Sequence, residues 1–151
     1  MSLKPSSPRA AQAAAQAAAR LARQVALALG GLDLSPSQYR LLLFLSEGNA
    51  AASAVAGRLA VSRPSVTALA DGLERRGLLQ RKPDSDDRRR VAHELTDAGR
   101  EALAAANAAV AERITSIAAR LDDEQPDRAI DGLALWSEAL NHHRAAMEAH
   151  Q

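Results

Sequence analysis

Apolar positions recur every three or four residues along most of this chain, and one short stretch switches to alternation. In "PRAAQAAAQAAARLARQVALAL", Pro8 to Leu29, the residues Leu21, Val25 and Leu29 step by four and predict a helix stopped by Gly30-Gly31. A helix so rich in alanine buries little area alone, so it is expected to pack against a partner. In "SPSQYRLLLFLSEG", Ser35 is the expected N-cap, Pro36 the first helical residue and Gln38 the far end of a capping box. The run Leu41 to Leu45 is apolar nearly all round, which predicts a buried core helix ended by Gly48.

The next stretch, "AASAVAGRLAVSRPSVTALADGLERRGLL", reads as two helices about a tight turn, the first over about Ala52 to Leu59. Ser62 caps the second, which runs to Arg76 and stops at Gly77. Val66, Leu69, Ala70 and Leu73 form its apolar face, while Arg63, Pro64, Ser65, Thr67, Ala68 and Asp71 form a small or polar one. Leu78 to Lys82 and Arg90 to Leu95 read as strands joined by a turn from Pro83 to Asp87. Val91, His93 and Leu95 share one strand face, and Ala92 and Glu94 the other. Thr96 then caps a helix to about Leu121, with Leu103, Ala106, Val110, Ile114 and Ile117 in step. A last helix carries Ile130, Leu133, Trp136, Leu140, His143 and Met147. These two stripes exceed what a small core needs and read as a helical interface.

The expected fold is therefore mainly α with a small β-hairpin: a winged helix-turn-helix flanked by N- and C-terminal dimerisation helices. Its parts are an N-terminal dimerisation helix over 8–29, a DNA-binding domain over 32–96 and C-terminal dimerisation helices over 97–148.

Composition narrows the function more than the fold. The chain has 151 residues, enough for one compact domain with arms. It has no cysteine, which removes disulfides, thiol catalysis, thiol redox sensing and cysteine-ligated metal sites together. No run of eighteen apolar residues appears and "MSLKPSSPRAAQ" has no leucine-rich core, so neither a membrane span nor a secretory signal is expected. Net charge is only +1, but it is unevenly spread. Residues 1–29 carry +4, residues 30–96 carry +2 and residues 97–151 carry −5, so contacts to a polyanion are expected in the earlier part.

The densest charge lies at the hairpin tip, where Arg88, Arg89 and Arg90 follow Asp84, Asp86 and Asp87. A hairpin beside a helix-turn-helix lies next to DNA when the second helix enters the major groove, and arginine is favoured in the adjacent minor groove. Asp87 is expected to pair with one arginine and lock the turn while others point outward. Arg75, Arg76, Arg81 and Lys82 are expected to add backbone contacts.

The segments "LSPSQYRLLLFLSEG" and "SRPSVTALADGLERRGLLQRKPDSDDRRRVAHELTDAGREAL" resemble the MarR family of bacterial transcriptional regulators. The resemblance spans about Leu32 to Leu103 and rests on the helix end Leu73 to Gly77, the wing Asp84 to Arg89, and the helix start marked by Leu95, Thr96 and Gly99. It implies a bacterial cytoplasmic homodimer, nucleoid-associated when on DNA, that binds a pseudo-palindromic operator. It further implies a repressor released by a small molecule. Carried over, Arg63, Pro64, Ser65 and Thr67 are the major-groove candidates, Arg89 the partner of Asp87, and Arg88 or Arg90 the minor-groove contact. An effector pocket, if lined as the family's are, draws on Arg23, Gln24 and Tyr39. Gly72, where the family usually has a larger residue, and the alanine-rich first helix are departures.

Three other readings compete. Of the four histidines, His93, His142, His143 and His150, none lies in a nucleophile elbow, a His-Glu-x-x-His segment or a phosphate loop, so neither catalysis nor a cofactor is expected. A metal-responsive regulator would use Glu138 and His142, which have ligand spacing on a helix, with His143 and His150 nearby in sequence. A winged helix that binds only protein would leave the cations at the helix end and wing without a polyanion to meet.

Overall fold

The computed structural model describes residues 7–48, 62–83 and 91–148. The helix expected over 52–59, the turn residues Asp84 to Asp87, the arginines Arg88, Arg89 and Arg90, and His150 lie outside the described residues. The described elements are α1 (Pro8–Gly30), α2 (Pro36–Ser46), α3 (Arg63–Arg75), β1 (Leu79–Pro83), β2 (Val91–Leu95), α4 (Asp97–Ala118) and α5 (Gln125–Glu148). Five helices and one antiparallel hairpin thus follow the expected order. The chain divides into two compact units, residues 1–110 and 111–151.

In the first unit, local chemistry sets each helix start. Ser7 caps α1 by accepting from Ala10 N at 3.2 Å, with Pro8 behind it. Ser35 and Gln38 form the expected capping box on α2: Ser35 Oγ accepts from Gln38 N at 3.1 Å, and Gln38 Oε1 accepts from Ser35 N at 2.9 Å. Such a cap is worth about 1 kcal/mol. Helix α1 ends at Gly30, as expected, with Gly31 as its cap in ordinary right-handed geometry, and the positive φ that follows falls at Asp33, at +53°. An aspartate tolerates that region better than most side chains.

The lobe's core forms where α2 crosses α1, α3 and β2. Leu41, Leu42, Phe44 and Leu45 of α2 are buried, as their unbroken apolar run predicts. Leu29 and Leu34 meet them from the α1 side, and Val66, Ala70 and Leu73 from α3. The hairpin pairs Leu79 with Leu95, Gln80 with Glu94, Arg81 with His93 and Lys82 with Ala92. Because side chains alternate, Leu79, Leu95, Arg81 and His93 share a face. Leu79 and Leu95 on it are buried, and so is Ala92 on the opposite face.

The joint between hairpin and α4 is tied by backbone groups. Thr96 N donates to Leu78 O at 3.1 Å, Thr96 Oγ1 donates to Gly77 O at 2.6 Å, and Gly99 N donates to Thr96 Oγ1 at 3.0 Å. A Cβ at position 99 would lie 2.0 Å from Leu78 O, so only glycine fits the first turn of α4 there. Leu103, Ala106 and Val110 of α4 are also buried.

The second unit holds the end of α4 and all of α5. Helix α4 stops at Ala118, three residues short of the expected Leu121, and tightens through bonds from Arg120 N to Ile117 O and from Leu121 N to Ala118 O. Helix α5 keeps an apolar side in the open: Trp136 and Leu140 are each 62% exposed, and Met147 is 56% exposed.

Candidate nucleic-acid interface

Helix α3 is built so that one side holds it to the lobe and the other faces solvent. Ser62 Oγ accepts from Ser65 N at 3.3 Å, and Pro64 occupies the first turn, where its missing N–H costs nothing. Val66, Ala70 and Leu73 anchor the inner side at 3%, 1% and 0% exposure. Pro64, Ser65, Thr67 and Ala68 are all exposed. The Ser65 hydroxyl shares a 2.8 Å hydrogen bond with that of Ser62, which fixes its direction beside the cap. The Arg63 side chain lies outside the described residues.

The end of α3 is a Schellman turn, with Gly77 N donating to Glu74 O at 2.8 Å and Leu78 N to Leu73 O at 2.9 Å. Gly77 takes φ +71°, a value that glycine reaches without strain. Leu73 and Leu78, both buried, supply the apolar contact that accompanies this motif.

The four cations expected to meet phosphate differ in their surroundings. Arg75 is exposed and has no polar partner among the described residues. Arg76 reaches back to the turn after α1, where Nη1 donates to Asp33 O at 2.6 Å and Nη2 lies 3.9 Å from the Asp33 carboxylate. Arg81 is held by two acids of α3, with Nε 2.9 Å from Glu74 Oε2 and Nη2 hydrogen-bonded to Asp71 Oδ1. Lys82 is ion-paired with Glu94, which also accepts from Gln80 Nε2 at 3.0 Å. Thus Arg76, Arg81 and Lys82, expected as backbone contacts, each have an internal partner that the sequence reading did not assign.

Titration reflects these contacts. The hydrogen bond from Lys82, then that from Gln80, holds the Glu94 carboxyl below its ordinary range. Burial lowers the His93 pKa, the positive charge of Arg81 lowers it further, and Glu74 and Asp71 partly oppose the shift. His93 is therefore neutral at pH 7.

The three effector candidates fall on two helices. Arg23 on α1 is exposed, and Gln24 beside it is half-buried. Tyr39 on α2 is half-buried, and its hydroxyl donates to Asn107 Oδ1 of α4 at 2.7 Å. Burial raises the Tyr39 pKa, so the phenol stays protonated and able to donate. Asn107 was missed from sequence, although it is the lone polar side chain in "ALAAANAAVA" and in that respect stands out.

Glu138, His142 and His143 are exposed on α5, and no group of three or more histidine, cysteine or acidic side chains suited to a metal occurs among the described residues. No helix of the described residues is long and apolar enough to cross a membrane.

A capped helix with a polar outer face, followed directly by an antiparallel hairpin, defines a winged-helix protein. A sequence model of the MarR family matches residues 32–90. The transcriptional repressor CouR, solved bound to a 23-mer DNA duplex, is 31% identical, with 83% of this chain and 89% of that chain covered and a TM-score of 0.65. The HTH-type transcriptional repressor YetL of Bacillus subtilis is 26% identical over 114 residues, covering 74% of this chain and 68% of that protein. RV1404 from Mycobacterium tuberculosis, at 22% identity, shares the fold with a TM-score of 0.76 over 91% of this chain and 96% of its own. The chain belongs to the MarR family of transcriptional regulators.

Proposed function

We propose that this regulator is a repressor that binds DNA sequence-specifically as a homodimer on a pseudo-palindromic operator and is released by a small molecule. The observation that carries the reading is the two-sidedness of α3: Val66, Ala70 and Leu73 are buried while Pro64, Ser65, Thr67 and Ala68 are exposed. Small side chains let the helix approach base edges closely, and serine and threonine hydroxyls donate to or accept from them. Arg63, Pro64, Ser65 and Thr67 form the base-reading set, and exposed Arg75 is the backbone contact. Arg88 and Arg90 supply the wing contact, with Asp87 and Arg89 paired to hold it. The similarity to CouR, itself solved on a duplex, supports DNA as the partner.

Dimerisation is assigned to residues 8–29 and 97–148. The open apolar side of α5, Leu133, Trp136, Leu140 and Met147, supports this, because a solvent-facing stripe of that length is stabilised by a partner. The repressor acts in the bacterial cytoplasm. The effector contacts are Arg23, Gln24 and Tyr39, and a ligand acting through Tyr39 must compete with its bond to Asn107. Release is geometric: ligand changes the angle between dimer helices and winged lobes, so the two α3 helices lose their one-turn spacing. A coupling of about 1–3 kcal/mol is enough to change promoter occupancy.

Titrating the protein against random-sequence duplex at several salt concentrations tests the DNA reading. Affinity should fall steeply with salt, by about 0.9 in log-log slope for each phosphate neutralised. Absence of binding at low salt would remove DNA as the partner.

A further inference from the structure

Two acids, Asp71 and Glu74, lie one turn apart on the helix that is to approach a polyanion. Placed there they repel phosphate, so their presence calls for a compensating role. Both meet Arg81 of β1, through different nitrogens of one guanidinium. All three side chains are partly exposed, at 38%, 35% and 48%. Ion pairs so open to water add little to folding stability. What they do fix is direction, because a guanidinium bonded through both Nε and Nη2 has its plane set by both partners.

The chain between these groups is short and contains a turn at Gly77 that glycine makes permissive. Besides the ion pairs, α3 and the hairpin are joined by the Leu73–Leu78 contact, the backbone bonds of the turn and the packing of both α3 and β2 on α2. All of these lie on the inner side of the lobe and leave Arg81 as the tie on the outer side. On the same hairpin face, His93 stands opposite Arg81 and is half-buried. Burial and the Arg81 charge both disfavour its cationic form, so Arg81 is the favoured cation beside the two carboxylates.

Resting on the DNA-binding reading above, we propose that Arg81 is a positioning residue: it latches β1 to Asp71 and Glu74 of α3, so that the reading helix and the wing meet the duplex as one rigid unit. Its contribution is to specificity. A duplex of the right sequence rewards simultaneous engagement of helix and wing, whereas random duplex accepts either contact alone.

The test uses the full-length chain and two variants whose net charges move in opposite directions. Asp71→Asn with Glu74→Gln removes two negative charges from the DNA-facing side, and Arg81→Gln removes one positive charge. If these residues act only through charge, the first variant binds every duplex more tightly and the second more weakly. The latch predicts that both lose affinity for a duplex selected by the parent protein, by about tenfold or more. It also predicts that the first variant holds or improves its affinity for random duplex, so that its ratio of specific to random binding collapses. Melting temperature serves as the control, because a purely structural role would lower it while leaving that ratio intact in the folded fraction. Tighter binding of the selected duplex by the acid variant, or an unchanged ratio, overturns the latch while leaving the DNA reading standing. A parent that selects no duplex overturns both.

Discussion

Leu42 and Leu140 are the same side chain on two helices of one chain, yet the first is 0% exposed and the second 62%. The winged lobe closes its own core, with α2 surrounded by α1, α3 and β2. Helix α5 repeats apolar residues just as regularly and leaves them open. Periodicity therefore reports that a helix has an apolar side, and burial reports who covers it. In the lobe the cover is the chain itself; for α5 the proposed cover is a second copy.

The sharpest way to separate the two regions is to truncate one leucine or aromatic in each. Leu42→Ala should destabilise the lobe by about 2–5 kcal/mol, because the surrounding core cannot collapse into the void. Urea unfolding followed by circular dichroism would measure this, with a midpoint shift that does not depend on protein concentration. Trp136→Ala should act through assembly instead. If it is an anchor of the dimer, its loss weakens association by about 2 kcal/mol or more, seen by sedimentation as a concentration-dependent fall in mass. A concentration-independent loss of stability of the size expected for Leu42 would erase the contrast.

Smaller changes test the joints of the lobe. Gly99→Ala drives a methyl group against the Leu78 carbonyl, 2.0 Å away, and should cost about 1–3 kcal/mol as α4 is pushed off the hairpin. Gly72→Ala should have the opposite sign. The added Cβ meets Gln38 Nε2 at 3.6 Å and Arg75 Nη2 at 4.0 Å, both ordinary contacts, so helix propensity gains about 0.5–1 kcal/mol. The two alanines, measured by the same thermal melts, distinguish a glycine required by packing from one that is not.

The smallest effect is a pH dependence. Burial and the Arg81 charge put the folded-state pKa of His93 below its ordinary 6.5. Between those two values the unfolded chain binds more protons, so this contribution to stability rises with pH and is complete above 6.5. As pH falls through the window it is lost. His93→Gln should flatten that part of the stability curve, whereas Glu94, whose lowered pKa lies under 4.5, acts at more acid pH.

Much of the fold was legible because its signals are local. Ser35 with Gln38, Ser62 with Pro64, and Gly77 after a cationic helix end each specify a backbone geometry within a few residues. Gly99 was legible only as part of a resemblance; the physical reason, the approach of Leu78 O, appears once β1 and α4 are brought together. The ion pairs were harder. Arg81 and Lys82 read as free cations because their partners lie on other elements: Asp71 and Glu74 on α3, and Glu94 across the hairpin. That the two strands pair is legible from their pattern and the turn between them, but the contact from β1 back to α3 is not. Asp33 was hidden for the same reason, since its partner Arg76 lies at the end of α3.

Selection from a pool of random duplexes, followed by sequencing of the bound fraction, tests the central claim most directly. The account predicts an inverted repeat whose half-site centres lie about 34–36 Å apart, one turn of the duplex. Recovery of a single unrepeated site, or of no enriched sequence at low salt, would contradict it.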